Sequence, residues 1–195
     1  SLEEIKKAKI INTEILLIKN PRKGPNSAIL EGINLTTAKI ILIYMADDFE
    51  NVKIINNMIN LIDRGNDVVI PSRFIPGGEM LGATKTKKMT TIIGSYLIYY
   101  LARIPFKDCT NAFKMFSSNA KEKINFSSTV GFTFAMELIA KSYFLNLAII
   151  ETPSIWIENK YRKSNFKIIK WLPYYIYWLL YAAMKNYILK IKNFF

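Results

Sequence analysis

The residues best suited to chemistry in this chain stand at the end of one apolar run. The segment Ile40-Ile41-Leu42-Ile43-Tyr44-Met45-Ala46 passes directly into Asp47, Asp48, Phe49 and Glu50, three carboxylates within four positions. Hard carboxylate oxygens suit Mg2+ or Mn2+ shared with substrate phosphates. The same acids also suit a helix cap, because Val52, Ile55, Met58, Ile59 and Ile62 follow at helical spacing. The chain has no histidine and a single cysteine, Cys109. This excludes Ser-His and Cys-His catalysis, histidine-based zinc sites and internal disulfides. Acid–base work then falls to carboxylates, Lys or Tyr, unless the nucleophile needs no base.

The elements that carry these residues follow from hydrophobic patterning. A short apolar run such as 40–45 reads as a strand buried on both faces, and ligands of open α/β sheets bind beyond the carboxyl ends of such strands. Strand-like segments at 14–18, 39–45, 67–71, within 108–116 and at 148–152 alternate with helix-like ones at 27–35, 51–64, 90–102 and 131–143. Asn26 is placed to cap the first of these helices. The alternation predicts an α/β domain with a mostly parallel sheet, and 195 residues, 51% of them hydrophobic, suffice for a sizeable core. A net charge of +12, from 27 Lys and Arg against 15 Asp and Glu, favours anionic partners: nucleic acid, acidic lipid head groups or phosphorylated small molecules.

After Pro153 basic and aromatic residues interleave, among them Trp156, Lys160, Tyr161, Arg162, Lys163, Phe166, Lys167, Lys170 and Trp171. The apolar aromatic stretch 171–184 is short for a membrane span and suits a bilayer surface or a docking partner. A helix packed on the domain with its lysines in water fits the same pattern. We therefore divide the chain into a domain at 1–167 and an aromatic, basic, membrane-proximal tail at 168–195.

Four segments in order add a family resemblance: Ala46-Asp47-Asp48-Phe49-Glu50; Ser72-Arg73-Phe74 with Gly77-Gly78; Asp108-Cys109-Thr110-Asn111-Ala112-Phe113-Lys114; and Glu151-Thr152-Pro153 followed by Ser164-Asn165-Phe166-Lys167. With Arg22-Lys23-Gly24-Pro25, and Gly131-Phe132 leading into Glu137, they resemble the family 2 glycosyltransferases, in particular the dolichol-phosphate mannosyltransferase-like branch. The resemblance covers residues 2–178. It implies a GT-A fold, a Rossmann-like three-layer sandwich, and an inverting transfer of sugar from a nucleotide sugar to a polyprenyl (dolichyl or undecaprenyl) phosphate at the cytoplasmic face of a membrane. Asp47, Asp48 and Glu50 would hold the Mg2+ or Mn2+ that stabilises the leaving diphosphate. Asp108 would be the catalytic residue, positioning the acceptor or taking a proton, although a turn residue bonding its own backbone fits as well. Substrate contacts are implied at Arg22, Lys23, Ser72, Arg73, Gly77, Gly78, Arg162, Ser164 and Lys167, with Arg73 offering a planar fork to a phosphate.

An acceptor phosphate is already an anion at neutral pH, which agrees with a chain lacking histidine. Transfer to a glycan or glycolipid hydroxyl is the alternative, and it would require Asp108 as a base. A non-catalytic basic module binding membrane or nucleic acid would leave the acids at the strand end unexplained, so no nucleic-acid partner is expected. The acidic motif here is Asp47, Asp48, Glu50 in place of the family's Asp-x-Asp. The family's opening strand with its Pro-x-x-Asn-Glu-like turn, and the second strand that grips base and ribose, have no counterpart before Leu2. The expectation is thus a fragment lacking its first βαβ unit, and inactive alone for want of those contacts.

Overall fold

The structure is a computed structural model, and it describes residues 13–20, 22–45, 48–158 and 168–192. Six helices are present among them: α1 (Pro25–Leu35), α2 (Ile55–Asp63), α3 (Lys85–Leu101), α4 (Ser118–Lys123), α5 (Phe134–Phe144) and α6 (Ile168–Lys192). The six strands are β1 (Ile40–Ile43), β2 (Val68–Ser72), β3 (Glu79–Leu81), β4 (Lys114–Ser117), β5 (Ile149–Pro153) and β6 (Ile155–Ile157).

Four strands form the main sheet in the order β1-β4-β2-β5. β2 and β5 run parallel, with Val68 opposite Ile149 and Ser72 opposite Pro153. β4 lies between β1 and β2 and is antiparallel to both, so three strands point one way and one points back. The side chains alternate across this sheet as the pleat requires. Ile41, Val68, Ile70 and Phe116 face a core with Ile33 of α1, Ile98 of α3, Leu138 and Ile139 of α5 and Trp178 of α6. Val69 and Met115 face the opposite way, onto Met58 and Ile62 of α2. The result is three layers, with the fully buried β2 at the centre of the sheet. Asp67 ties the sheet together at the start of β2. Its carboxylate accepts from Ser117 Oγ (3.0 Å), Asn119 Nδ2 (2.6 Å) and the Ala148 N–H (3.1 Å).

Several local expectations change. Residues 14–18 form no strand; no described segment pairs with them, and Leu16 and Leu17 are exposed. A strand is made by its ladder, which an apolar sequence cannot supply by itself. The cap of α1 is Gly24, at φ 116, with Pro25 opening the helix as its fixed φ allows. Asn26 is buried and employed elsewhere: its Nδ2 donates to the Ser128 carbonyl at 2.6 Å and its Oδ1 accepts from the Phe134 N–H at 3.1 Å. The helix expected at 51–64 opens instead as a 3-10 turn, Glu50–Ile54, before α2. α3 begins earlier than expected because Thr84 caps it, its hydroxyl accepting from the Lys87 N–H at 3.3 Å. β3 and β6, three residues each, pair with one another outside the main sheet and are too short to register as periodicity.

α6 packs on the domain through buried Trp171, Trp178 and Ala182. Trp171 meets Phe132 edge-on at 5.9 Å and covers Gly131, where a Cβ would stand 2.8 Å from the indole. Asn186 Nδ2 donates to the Ala102 carbonyl at the end of α3 (2.7 Å). The outer side of α6 remains apolar and exposed, with Leu172, Tyr177, Leu180, Met184 and Tyr187, and α3 exposes Met89, Ile93, Tyr96, Leu97 and Tyr100. No helix among the described residues is long and apolar enough to cross a membrane.

Candidate active site

Strand direction brings the scattered motifs to one edge of the sheet. β1, β2 and β5 all end there, and β4, running back, begins there, with Ile43 opposite Lys114. The segment after β1 (Asp48, Glu50), the loop after β2 (72–78), the turn before β4 (108–113) and the chain after β5 are therefore neighbours. Ligands bind at this edge of open α/β sheets.

The centre of the edge is a buried ion pair. Arg73 approaches Asp108 side-on: Nε donates to Oδ2 and Nη2 to Oδ1, both at 2.7 Å, and the Arg73 backbone N–H adds a third bond to Oδ2 at 3.0 Å. Nη2 also donates to Thr110 Oγ1 at 3.3 Å, which in turn contacts Ser95 Oγ on α3. Asp108 is 0% exposed. Burial alone would raise its pKa, but the Arg73 charge and hydrogen bonds overcome this and hold the carboxyl below the usual carboxylate range. Its oxygens are thus committed to Arg73. The fork expected to meet a phosphate is the edge that Asp108 takes, and the Nη1 edge is the part of the guanidinium with no partner among the described residues.

Behind this pair lie buried Lys114 and half-buried Glu151, which hold the backbone of the Asp108 turn. Asn111 closes the turn, its Nδ2 donating to the Pro71 carbonyl (3.0 Å) and its Oδ1 accepting from the Phe113 N–H (3.2 Å). Lys114 and Glu151 fall inside quoted motifs, yet sequence reasoning left them out of the site. The signal at Lys114 was a charged residue opening a mostly buried strand, and at Glu151 an acid inside an apolar one.

At the end of β1, Asp48 is half-buried and bound by Asn51. The Asn51 Nδ2 lies 2.9 and 2.7 Å from the two carboxylate oxygens, and the Asn51 N–H donates to Oδ1 at 3.3 Å. Asn51 is itself buried and pairs with the β6 backbone, donating to the Ile155 carbonyl (2.9 Å) and accepting from its N–H (3.2 Å). Asp48 therefore caps the 3-10 turn. A carboxylate oxygen has two lone pairs, so this contact leaves Asp48 able to bind a cation as well. Glu50 turns outward to Lys53 at 2.9 Å. Asp47 lies outside the described residues. Among the described residues no three acidic, histidine or cysteine side chains gather as a metal cage. Mg2+ commonly takes one or two carboxylates and completes its shell with phosphate oxygens and water, and Asp48 fits that donor set.

The remaining expected residues divide by position. Ser72 is buried, and its Oγ accepts from the Phe74 N–H at 3.4 Å. Gly77 has φ 85. Gly78 lies against its own strand end, where a Cβ would overlap the Ser72 carbonyl oxygen and stand 2.9 Å from the Arg73 carbonyl carbon. Arg22 and Lys23 are exposed before α1, and no bond joins them to the Arg73–Asp108 pair among the described residues. Arg162, Ser164 and Lys167 lie outside the described residues. The chain leads toward them from Glu158, which pairs with Lys87 of α3 at 2.5 Å, while that ammonium sits 4.4 Å over the Trp156 ring.

Comparison with known proteins gives the family. The family model described as "Glycosyl transferase family 2" matches residues 1–124. The chain is 21% identical over 168 residues to a polyprenol monophosphomannose synthase of Mycolicibacterium smegmatis, a match covering 78% of this chain and 63% of that protein. It is 23% identical over 137 residues to a dolichol-phosphate mannosyltransferase of Pyrococcus furiosus (69% of this chain, 38% of that protein). It is 24% identical over 104 residues to an undecaprenyl-phosphate mannosyltransferase of Micrococcus luteus (52% and 43%). The chain thus spans between about two fifths and just under two thirds of the length of these relatives. Its layered sheet with helices on both faces is the GT-A arrangement. Since the family match runs unbroken through β1, β2, β3, α3 and β4, which deliver the site's acids and its arginine to one edge, the chain belongs to glycosyl transferase family 2.

Proposed function

We propose that this chain is part of an inverting glycosyltransferase that transfers a sugar from a nucleotide sugar to a polyprenyl phosphate at a membrane surface. The observation that carries the choice of acceptor is the Arg73–Asp108 pair. A hydroxyl acceptor needs a base, and the Asp108 carboxylate is buried, bonded through both oxygens and held below the usual carboxylate range. Such a group is a poor proton acceptor. A phosphate acceptor needs no base; it needs positive charge at the right place, and the remaining Arg73 edge supplies it. Asp108 is then a positioning residue for Arg73. Relatives named as dolichol-phosphate and undecaprenyl-phosphate mannosyltransferases support the same acceptor class.

Asp48, fixed by Asn51, and Glu50 are the groups that would hold Mg2+ or Mn2+, which supplies positive charge to the departing diphosphate. Asp47, Arg162, Ser164 and Lys167 complete the proposed set around the donor. The exposed apolar sides of α3 and α6, in a chain of charge +12, would lie on an anionic bilayer and bring the edge of the sheet to a lipid-borne phosphate. The test is transfer by the full-length protein from a panel of nucleotide sugars to polyprenyl phosphate, and separately to free glycan hydroxyls. Product on the lipid phosphate is expected. Transfer confined to a hydroxyl would overturn the reading.

A further inference from the structure

Lys114 is a charge in an expensive place. It opens β4 at 0% exposure, and no carboxylate lies within ion-pair distance of its ammonium among the described residues. Its Nζ donates instead to the backbone carbonyl of Asp108 at 3.1 Å. Burying an ammonium is costly, and an apolar side chain would fill the same space more cheaply. Glu151, on β5, works on the same turn from the other side. Its Oε1 accepts from the backbone N–H of Lys107 (3.0 Å) and of Asp108 (3.2 Å). Asp108 is therefore held at its N–H by Glu151, at its carbonyl by Lys114 and at its carboxylate by Arg73. A residue tied at all three points has little torsional freedom left with which to move the guanidinium.

We propose that Lys114 and Glu151 are positioning residues, a two-sided clamp on the 107–108 backbone that aims Asp108 at Arg73 and so presets the Arg73 Nη1 edge for an anionic substrate group. The clamp itself is independent of the acceptor; its catalytic consequence rests on the phosphate-acceptor reading given above. The charged and titratable groups around Lys114 are Asp108, Cys109, Arg73 and Glu151, and burial pushes its own pKa down to about 8.

The chain carries its own reporter. Cys109, its only cysteine, follows Asp108 directly and is buried. Loss of the clamp frees the 108–109 peptide and exposes this thiol. The experiment measures Cys109 labelling by an aromatic disulfide reagent in the native 195-residue chain, and steady-state transfer in the full-length protein. Lys114→Met and Glu151→Ala should each speed labelling at least tenfold. Glu151→Gln, which keeps Oε1 as an acceptor, should stay within threefold of the parent, and so should Lys114→Gln, which keeps a donor. In full-length protein the first two variants should lower kcat at least tenfold and raise KM for polyprenyl phosphate, with KM for the nucleotide sugar unchanged and both Gln variants largely restored. Unchanged labelling in Glu151→Ala overturns the clamp, even where Lys114→Met fails to fold. Faster labelling with acceptor KM and kcat untouched overturns its link to Arg73. Should the enzyme use only hydroxyl acceptors, the acceptor reading falls while the labelling pattern still decides the clamp.

Discussion

The Arg73–Asp108 pair can be tested by a thermodynamic cycle. Asp108 accepts three hydrogen bonds from one residue, at 3.0, 2.7 and 2.7 Å, and is itself shut off from water. Asp108→Asn keeps one acceptor oxygen and turns an NH2 toward a guanidinium N–H, so at least one charge-assisted bond is lost and the buried cation loses its counter-ion. Breaking one side of a buried pair typically costs about 3–5 kcal/mol, a large part of a usual total of about 5–15 kcal/mol. Arg73→Met, which leaves the carboxylate unpaired, should cost about as much. The double variant leaves neither charge unpaired, and its loss should fall short of the sum by about 2 kcal/mol or more. Urea unfolding at pH 7 measures all four corners. The pH dependence follows from the depressed Asp108 pKa: the pair's stabilisation is complete above the ordinary carboxylate value and is lost as pH falls through the folded value. The gap between parent and Asp108→Asn should thus be full at pH 7 and narrow below about pH 4. Asp67, also held below the usual range, adds an acid loss of its own that persists in both proteins. Costs that add within about 0.5 kcal/mol would refute the pair as a unit.

In the full-length protein Asp48→Asn should abolish manganese-dependent transfer while circular dichroism and unfolding midpoint stay near the parent's; undiminished transfer would leave Asp48 as a cap alone. Gly78→Ala forces a Cβ onto the Ser72 and Arg73 backbone and should cost about 1–3 kcal/mol, read by urea unfolding, because backbone yields less readily than a side chain. Lys114 gives an alkaline signature: the unfolded chain keeps a proton that the folded chain releases near pH 8, so stability should rise from about pH 8 toward pH 10, a slope absent in Lys114→Met. Lys170 and Lys190 on α6 are exposed, and at about 1 kcal/mol each near an anionic surface their joint change to Gln should weaken vesicle co-sedimentation roughly 30-fold at low salt.

Much of this protein can be read along the chain, for a local reason. Apolar runs at 40–43 and 68–70 become strands, and β2 is buried along its whole length as such a run predicts. β1, paired on one side only among the described residues, buries Ile41 alone, and Asp48 and Glu50 follow it because that is the edge where β1 ends. The ordered motifs carried the family as well. Direction and partnership depend on distant segments, and these only the tertiary structure decided. Nothing within 114–117 states that β4 runs backward between β1 and β2, yet that reversal sets the Asp108 turn beside the end of β1. The 14–18 segment has strand-like composition and no ladder among the described residues. Arg73 looked like a fork for substrate until the fold brought Asp108, 35 positions away, within 2.7 Å. Asn51 and Glu151 were ordinary polar residues in sequence, and packing gave each a fixed set of bonds across 104 and 43 positions. Composition and periodicity report how much a segment must bury, whereas the partner of a buried charge is settled only when separate strands are packed and water is gone.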